Sequence, residues 1–310
     1  MNELEVLKQV RSIFDQTVSP SSLVVENGDD GAVFHVQDAN LAVSTDMAVE
    51  NVHFKLDWST PRQIGRKIAV ANLADIFAMG GKPEYLLVSV GFPKSFLSHL
   101  VELAEGIFEE AGKVGAKVIG GDLSNSEKVV ISITAIGRCN KPITRSNAQI
   151  GDLLLISHLP GWSAAGLALL RFGRTELRHA ERAVSQHCAP EIDYEKYLGC
   201  FELASAVTDI SDGLLLDASN IAQASQVSIS IDTGSFMKCE DFSNLTELAS
   251  SLKIDWQKLV LTGGEDHVLL VTANAPIPGF TQIGRVEAGE GVFVDGVKID
   301  KGEQGFQHQW

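Results

Sequence analysis

Val43-Ser44-Thr45-Asp46-Met47-Ala48-Val49-Glu50-Asn51-Val52-His53-Phe54 is the stretch on which the reading of this chain turns. The apolar run Leu41-Ala42-Val43 reads as the end of a buried strand. A hydroxyl pair, Ser44-Thr45, and the carboxylate of Asp46 follow where that strand would leave the sheet. His53 comes next in the same stretch, beside Phe54. Hard oxygen donors released at a strand end suit Mg²⁺, and a nearby imidazole suits an organic substrate. The same residues also fit a plain strand closed by an Asx-type turn with a solvated histidine. The rest of the chain has to decide.

Upstream, a tight acidic loop, Gly28-Asp29-Asp30-Gly31, precedes a strand Ala32–Val36 that should pair with Leu41–Ser44 as a hairpin. Further back, Leu4, Leu7, Val10 and Ile13 are spaced for a surface helix from Glu3 to Gln16. Downstream, Thr60-Pro61 opens a helix, with Pro61 at a tolerated first-turn position. It should run from Gln63 to Met79 and stop at Gly80-Gly81. A strand Tyr85–Val90, a helix Leu97–Val114, a short strand Lys117–Ile119 ending in Gly120-Gly121-Asp122, and a long strand Val129–Ile136 follow. The pattern changes around Asn140-Lys141-Pro142, which places a domain boundary between residues 1–140 and 141–310. The second part alternates again: strand Leu153–Ser157, helix Ala164–Leu170, a polar helical stretch to His187, and helix Tyr194–Ala204. Strand Ala206–Ile210, helix Leu214–Ala224, strands Val227–Ile231 and Val268–Thr272, and a strand pair within Val292–Val297 complete it. Strands alternating with helices in both parts imply two α/β domains with mixed sheets.

The 310 residues are enough for two such domains, and 45% hydrophobic with 21% charged residues is ordinary globular composition. Lys and Arg total 25 against 40 Asp and Glu, a net charge of −15, which argues against nucleic acid or an anionic membrane as partner. No apolar run is long enough to span a membrane, and the start Met1-Asn2-Glu3-Leu4-Glu5 is acidic where a signal peptide is basic. Cys139, Cys188, Cys200 and Cys239 form no C-x-x-C pair and suit reduced structural thiols in a cytoplasm.

The placing of the aspartates is more informative than their number. Asp30 lies in a glycine loop, Asp46 and Asp122 follow strand ends, and Asp209 sits in the apolar run Ala206–Ile210 with Ser211-Asp212-Gly213 next. Asp209 or Asp212 fits equally well as N-cap of the helix from Leu214. Asp75 stands out, because its helix Ile68–Met79 is apolar on nearly every side. An unpaired carboxylate buried there costs several kcal/mol, so it needs a cation, a donor network or solvent. If these acids converge on one cleft, each like-charge pair at about 4 Å repels by roughly 4 kcal/mol at an effective dielectric near 20. Divalent metal would relieve that repulsion and bridge the acids to a polyphosphate. No lysine-bearing phosphate loop, G-x-G-x-x-G, H-E-x-x-H, nucleophile elbow or protein-kinase catalytic loop is present.

In order along the chain come Gly28-Asp29-Asp30, Ser44-Thr45-Asp46 with His53-Phe54, Asn72-Leu73-Ala74-Asp75-Ile76-Phe77-Ala78-Met79-Gly80 and Gly120-Gly121-Asp122. Thr144-Arg145-Ser146 with Gly151-Asp152, Asp209-Ile210-Ser211-Asp212-Gly213-Leu214 and Gly263-Gly264-Glu265-Asp266 follow. This series resembles the thiamine-monophosphate kinase family, of the aminoimidazole-ribonucleotide-synthetase-like superfamily, over nearly the full length. The resemblance implies ATP-dependent phosphorylation of thiamine monophosphate to thiamine diphosphate on several Mg²⁺ ions. It also implies a homodimer formed through the N-terminal domains, with nucleotide near the interface.

Carried over by that resemblance, metal ligands fall on Asp30, Ser44, Thr45, Asp46, Asp75, Asp122, Asp209 and Asp212. Nucleotide contacts fall on Gly121, Asp122, Arg145 and Ser211, and substrate contacts on His53, Glu265 and Phe306, with Trp310 a rival to Phe306. Asp46, Asp75, Asp122 and Arg145 are then the residues expected to carry catalysis. Leu123 stands where the family usually has Thr and carries no hydroxyl there. Within the superfamily, a selenophosphate synthetase needs a reactive cysteine near the N-terminus, and the first here is Cys139; a hydrogenase-maturation dehydratase ends in cysteine, and this chain ends in Trp310. A purine-pathway synthetase and a non-catalytic nucleotide-binding homologue are the remaining rivals.

Overall fold

The computed structural model of the chain describes residues 23–25, 32–36 and 39–300. The expected helix Glu3–Gln16, the loop with Asp30, and Phe306 and Trp310 lie outside those residues. A first sheet is built from β1 (Leu23–Val25), β2 (Ala32–Val36), β3 (Ala39–Val49), β4 (Lys82–Phe92), β5 (Lys117–Asn125) and β6 (Val130–Cys139), in the order β1-β2-β3-β6-β4-β5. Only its β4–β5 pair is parallel. The helices α1 (Pro61–Ala78) and α2 (Leu100–Val114) belong to the same part of the chain.

A second sheet holds β7 (Leu153–Ile156), β8 (Ala206–Asp209), β9 (Ser228–Ile231), β10 (Leu269–Ala273), β11 (Thr281–Glu287), β12 (Gly291–Val294) and β13 (Val297–Lys298). Their order is β13-β12-β9-β11-β7-β10-β8, with β9 and β12 parallel. Around it pack α3 (Trp162–Phe172), α4 (Ala180–Cys188), α5 (Tyr194–Cys200), α6 (Leu214–Ser225), α7 (Phe242–Leu252) and α8 (Trp256–Thr262). Both sheets are mixed, as the alternation of elements implied. No helix among the described residues is long and apolar enough to cross a membrane.

Helix α1 is the element on which the two sheets meet. Thr60 and Gln63 form a reciprocal capping box and Pro61 occupies the first turn, which fixes where the helix starts. Its apolar residues face in all directions because it has protein on more than one side: Val70, Leu73, Ile76 and Phe77 are all buried. Helix α2 crosses it at close range. A Cβ at Gly65 would lie 2.2 Å from the Leu103 carbonyl oxygen, and one at Gly106 would lie 2.0 Å from that of Arg62. Only two glycines, one from each helix, permit that approach. On the other flank Phe77 stacks on Tyr194, with ring centroids 5.3 Å apart, and the Tyr194 hydroxyl donates to buried Glu110 at 2.8 Å. One apolar core therefore runs from Leu73 and Ile131 to Val207, Leu269 and Val271 of the second sheet.

Three elements differ from the expectation. Strand β3 does not end at Ser44; its ladder with β6 continues to Val49 opposite Val130. The polar triplet is tolerated inside the strand because Ser44 and the Asp46 backbone find partners on α1 while Thr45 and Met47 face the other side. Strand β5 likewise runs past Gly120-Gly121 to Asn125, so Asp122 lies within an edge strand. The helix expected from Leu97 is a 3₁₀ segment, Lys94–His99, before α2 begins at Leu100.

Candidate active site

The site grows from the contact of β3 with α1. Ser44 Oγ donates to Asp75 Oδ2 at 2.5 Å, which supplies part of the donor network that a carboxylate in an apolar helix requires. One turn earlier Asn72, fully buried, accepts the Asp46 N–H at 3.0 Å and donates to the Ile68 carbonyl at 2.8 Å. Asn72 thus holds the strand to the helix at the residue that carries the carboxylate. His53 returns over the end of β3, where its Nδ1 accepts the Val49 N–H at 3.0 Å. A neutral His53 therefore keeps its proton on Nε2.

The second sheet delivers its residues from the end of β8 and the turn before β10. Asp209 is buried; its Oδ2 meets His267 Nδ1 at 2.9 Å, while its Oδ1 is buried with no hydrogen-bond partner. Burial raises the Asp46 carboxyl, the Asp209 charge raises it further, and His267 acts the other way. Asp46 and Asp209, from different sheets, therefore lie within electrostatic reach of each other. Burial opposes charge on His267, but the hydrogen bond and charge of Asp209, with Glu265 and Asp46, raise its pKa overall. Arg145 reaches the same strand end, its Nε donating to Thr208 Oγ1 at 3.2 Å. Neither Asp209 nor Asp212 caps α6: Gly213 occupies the N-cap with no side-chain bond.

The turn Gly263-Gly264-Glu265-Asp266-His267 is held tightly. Glu265 and His267 adopt φ of +62° and +54°, conformations that L-residues seldom take. The Glu265 N–H donates to Ser211 O at 2.7 Å, and the His267 N–H to Ile210 O at 3.0 Å. Asp266 accepts the Gly161 and Ser163 N–H groups at 2.7 and 2.9 Å, at the start of α3. Burial pushes Asp266 up to about 6 against those two donors. These restraints present Glu265 beside Ser211. Lys67 of α1 completes the wall, its Nζ 3.0 Å from Glu265 Oε2.

Asp122 is not brought to this cluster within the chain. Asp46 is in register with Ile133, Val88 and then Gly121, whereas Asp122 is in register with Ser89, Ser132 and then Met47. Side chains alternate along a strand, so Asp122 shares the face of Met47, opposite that of Asp46. Three strand spacings of about 4.8 Å also separate them, roughly 14 Å in the sheet. Thr45 is on that second face as well, with its hydroxyl donating to Ile133 O and accepting from Thr134. Gly121 packs so closely on β4 that a Cβ there would lie 1.8 Å from Val88 O.

Among the described residues no three of His, Cys, Asp or Glu form a ready metal cage. The donors nevertheless fit a hard divalent cation: hydroxyl and carboxylate oxygens, one of them the orphaned Oδ1 of Asp209. Mg²⁺ characteristically takes one or two carboxylates and fills its octahedron with phosphate oxygens and water. The sequence reading missed Lys67, Asn72, His187 and His267, each of which fixes a residue it did name. Lys67 carried the same signal as Asp75, a charge against an apolar helix.

The family of AIR synthase related proteins, N-terminal domain, matches residues 28–139. Full-length relatives narrow that class. The thiamine-monophosphate kinase of Mycobacterium tuberculosis is 39% identical over 283 residues, 89% of this chain and 84% of that one. That of Corynebacterium glutamicum is 38% identical, with 100% of this chain and 93% of the relative covered. A solved structure of AaThiL complexed with AMPPCP and TMP superimposes with a TM-score of 0.89 at 30% identity, covering 99% of this chain and 97% of that one. The chain belongs to the thiamine-monophosphate kinase family.

Proposed function

We propose that this protein transfers the γ-phosphoryl group of ATP directly to the phosphate of thiamine monophosphate, giving thiamine diphosphate and ADP. The observation that carries the reading is the meeting of Asp46, the Ser44–Asp75 pair and Asp209 with its unpartnered Oδ1, across two sheets, in a chain of this family. A terminal phosphate is already a competent nucleophile at neutral pH, so no strong general base is required. A phosphate oxygen of the acceptor attacks in line, the bond to the bridging oxygen of ADP breaks, and positioning carries most of the catalysis.

Asp46, Asp75, Asp209 and Asp212, with Ser44 and Asp30, are the proposed metal ligands of this cluster; Thr45, like Asp122, presents its side chain on the second face of the sheet. Mg²⁺ bound there would neutralise the triphosphate and the charge that develops on transfer. Arg145, anchored at Thr208, supplies a fixed cation to the nucleotide, with Ser211 alongside, while Gly121, on edge strand β5 next to Asp122, would contact a nucleotide from the other subunit. His53, Glu265 and Phe306 serve the acceptor. The division into domains is proposed at 140/141, and four buried free cysteines suit a cytoplasmic setting.

The second face of the first sheet supports a homodimer. Met47 and Tyr85 are 57% and 43% exposed there, and on the edge strand β5 Leu123, whose side chain alternates to the other face, is 63% exposed. An apolar sheet face and open edge of this kind call for a partner, and a second copy of the same face is self-complementary. Asp122 would then serve the site of the other subunit. The test is ADP release with thiamine monophosphate, aminoimidazole precursors or no acceptor, each with and without Mg²⁺. Turnover only with thiamine monophosphate and Mg²⁺ is expected; equal ADP release without acceptor overturns the assignment.

A further inference from the structure

We infer that Lys67 is a positioning residue for the acceptor, acting through Glu265. The inference rests on the proposed function, in which Glu265 faces the acceptor. Lys67 reaches from α1 to a residue 198 positions away, its Nζ 3.0 Å from Glu265 Oε2. The lysine side chain is 10% exposed and that of Glu265 is 34% exposed, so the pair stands at the wall of an opening rather than inside the core. His187 Nδ1 lies 3.6 Å from the same oxygen and 3.2 Å from Ser163 Oγ. Burial, then the Lys67 charge, drives His187 down to about 4, so this ring is neutral near pH 7. Lys67 is then the fixed charge that orients Oε2. Burial opposes ionisation of Glu265, but the charge and hydrogen bond of Lys67 bring its pKa down overall.

Oε1 has no hydrogen bond among the described residues and belongs to the partly exposed side chain. A carboxylate with one oxygen clamped and the other open suits a cationic heterocycle or its amino group, and thiamine monophosphate offers both. Lys67→Met alone leaves the Glu265 carboxylate without its cation and costs some stability, whereas the Lys67→Met/Glu265→Gln double variant leaves no unpaired charge. Lys67→Arg keeps the charge, so with these two variants the effect on acceptor binding is read separately from folding.

The experiment compares wild type, Lys67→Met, Lys67→Arg, Glu265→Gln and the Lys67→Met/Glu265→Gln double variant. Acceptor KM, ATP KM, kcat and Tm are measured for each, with calorimetric binding of thiamine monophosphate. Lys67→Met should raise the acceptor KM about thirtyfold, the loss of one charge-assisted contact. The ATP KM should stay within about threefold, and Lys67→Arg should recover most of the loss. Placed on Glu265→Gln, Lys67→Met should add less than about threefold, because the two residues act as a unit. Additive effects, an equal rise in both KM values, or a fall in Tm alone overturns the inference. If wild-type protein neither binds nor phosphorylates thiamine monophosphate, the functional reading itself fails; if it does both and Lys67→Met leaves the acceptor KM unchanged, only the role of Lys67 fails.

Discussion

Asp46 and Asp122 lie in the same sheet, each at the end of a short polar or glycine-rich motif, and their surroundings have little in common. Asp46 sits on the face packed against α1, tied to Asn72 and within reach of Asp209 and His267. Asp122 lies three strands away on an edge strand and on the opposite face, among exposed residues. Motif likeness put both in one site; the alternation of side chains along a strand separates them. The contrast sets the carboxylates gathered on the α1 face apart from Asp122 on the other face, which in the proposed homodimer would serve a second copy.

The largest effect falls on the assembled set. Asp46→Asn and Asp75→Asn should each lower kcat more than about a thousandfold, with far-UV circular dichroism unchanged. Near-normal turnover in either would break the contrast at its buried end. The other end is tested by mixing subunits. Asp75→Asn and Asp122→Asn homodimers should both be inactive, yet co-refolded mixtures should regain about a quarter of wild-type activity, from one intact site in each mixed dimer. No recovery would place both aspartates in the same subunit's site. Next comes the sheet face itself: Leu87 of β4, in register with Thr134 and Thr45 and partly exposed on the second face, is its test, and Leu87→Glu should shift the proposed dimer to monomer by analytical ultracentrifugation, with activity falling alongside.

The smallest effect lies on the covered side, at His187. Its folded pKa of about 4 is below the ordinary histidine value of 6.5, so between these pH values the unfolded chain binds the extra proton. Stability should be fully present above about pH 6.5 and decline as pH falls toward 4, by up to about 3 kcal/mol. Urea titrations from pH 4 to 7 should show that acid slope, and His187→Gln should flatten it.

Much of the fold was legible where periodicity was clean. Helix α1 was read from its cap and glycine stop, and β7, β8 and β10 from short apolar runs. Strand β11 was not read: its ladder with β7 shifts between Gln282 and Gly284, and that bulge interrupts the alternation by which strands are recognised. Helix α7 did carry a signal, with Leu245, Leu248, Ala249 and Leu252 at helical spacing. At the site, the carboxylates were legible as residue types but their faces were not. The end of β3 was set too early because Ser44-Thr45-Asp46 is turn chemistry in isolation; only α1, whose Asn72 and Asp75 receive the strand, makes it strand chemistry. The pairings of Asp209 with His267 and of Lys67 with Glu265 join residues remote in sequence, and no local pattern announces them.

The paired glycines of α1 and α2 set the gauge of this machine. Since Lys67, Asn72 and Asp75 all ride on α1, the acceptor wall and the metal-facing carboxylate share a single rigid rail. A methyl group at Gly65 or Gly106 would push that rail aside as a whole and detune both ends together. Recognition of one substrate and alignment of the other are thereby governed by the same backbone-to-backbone distance.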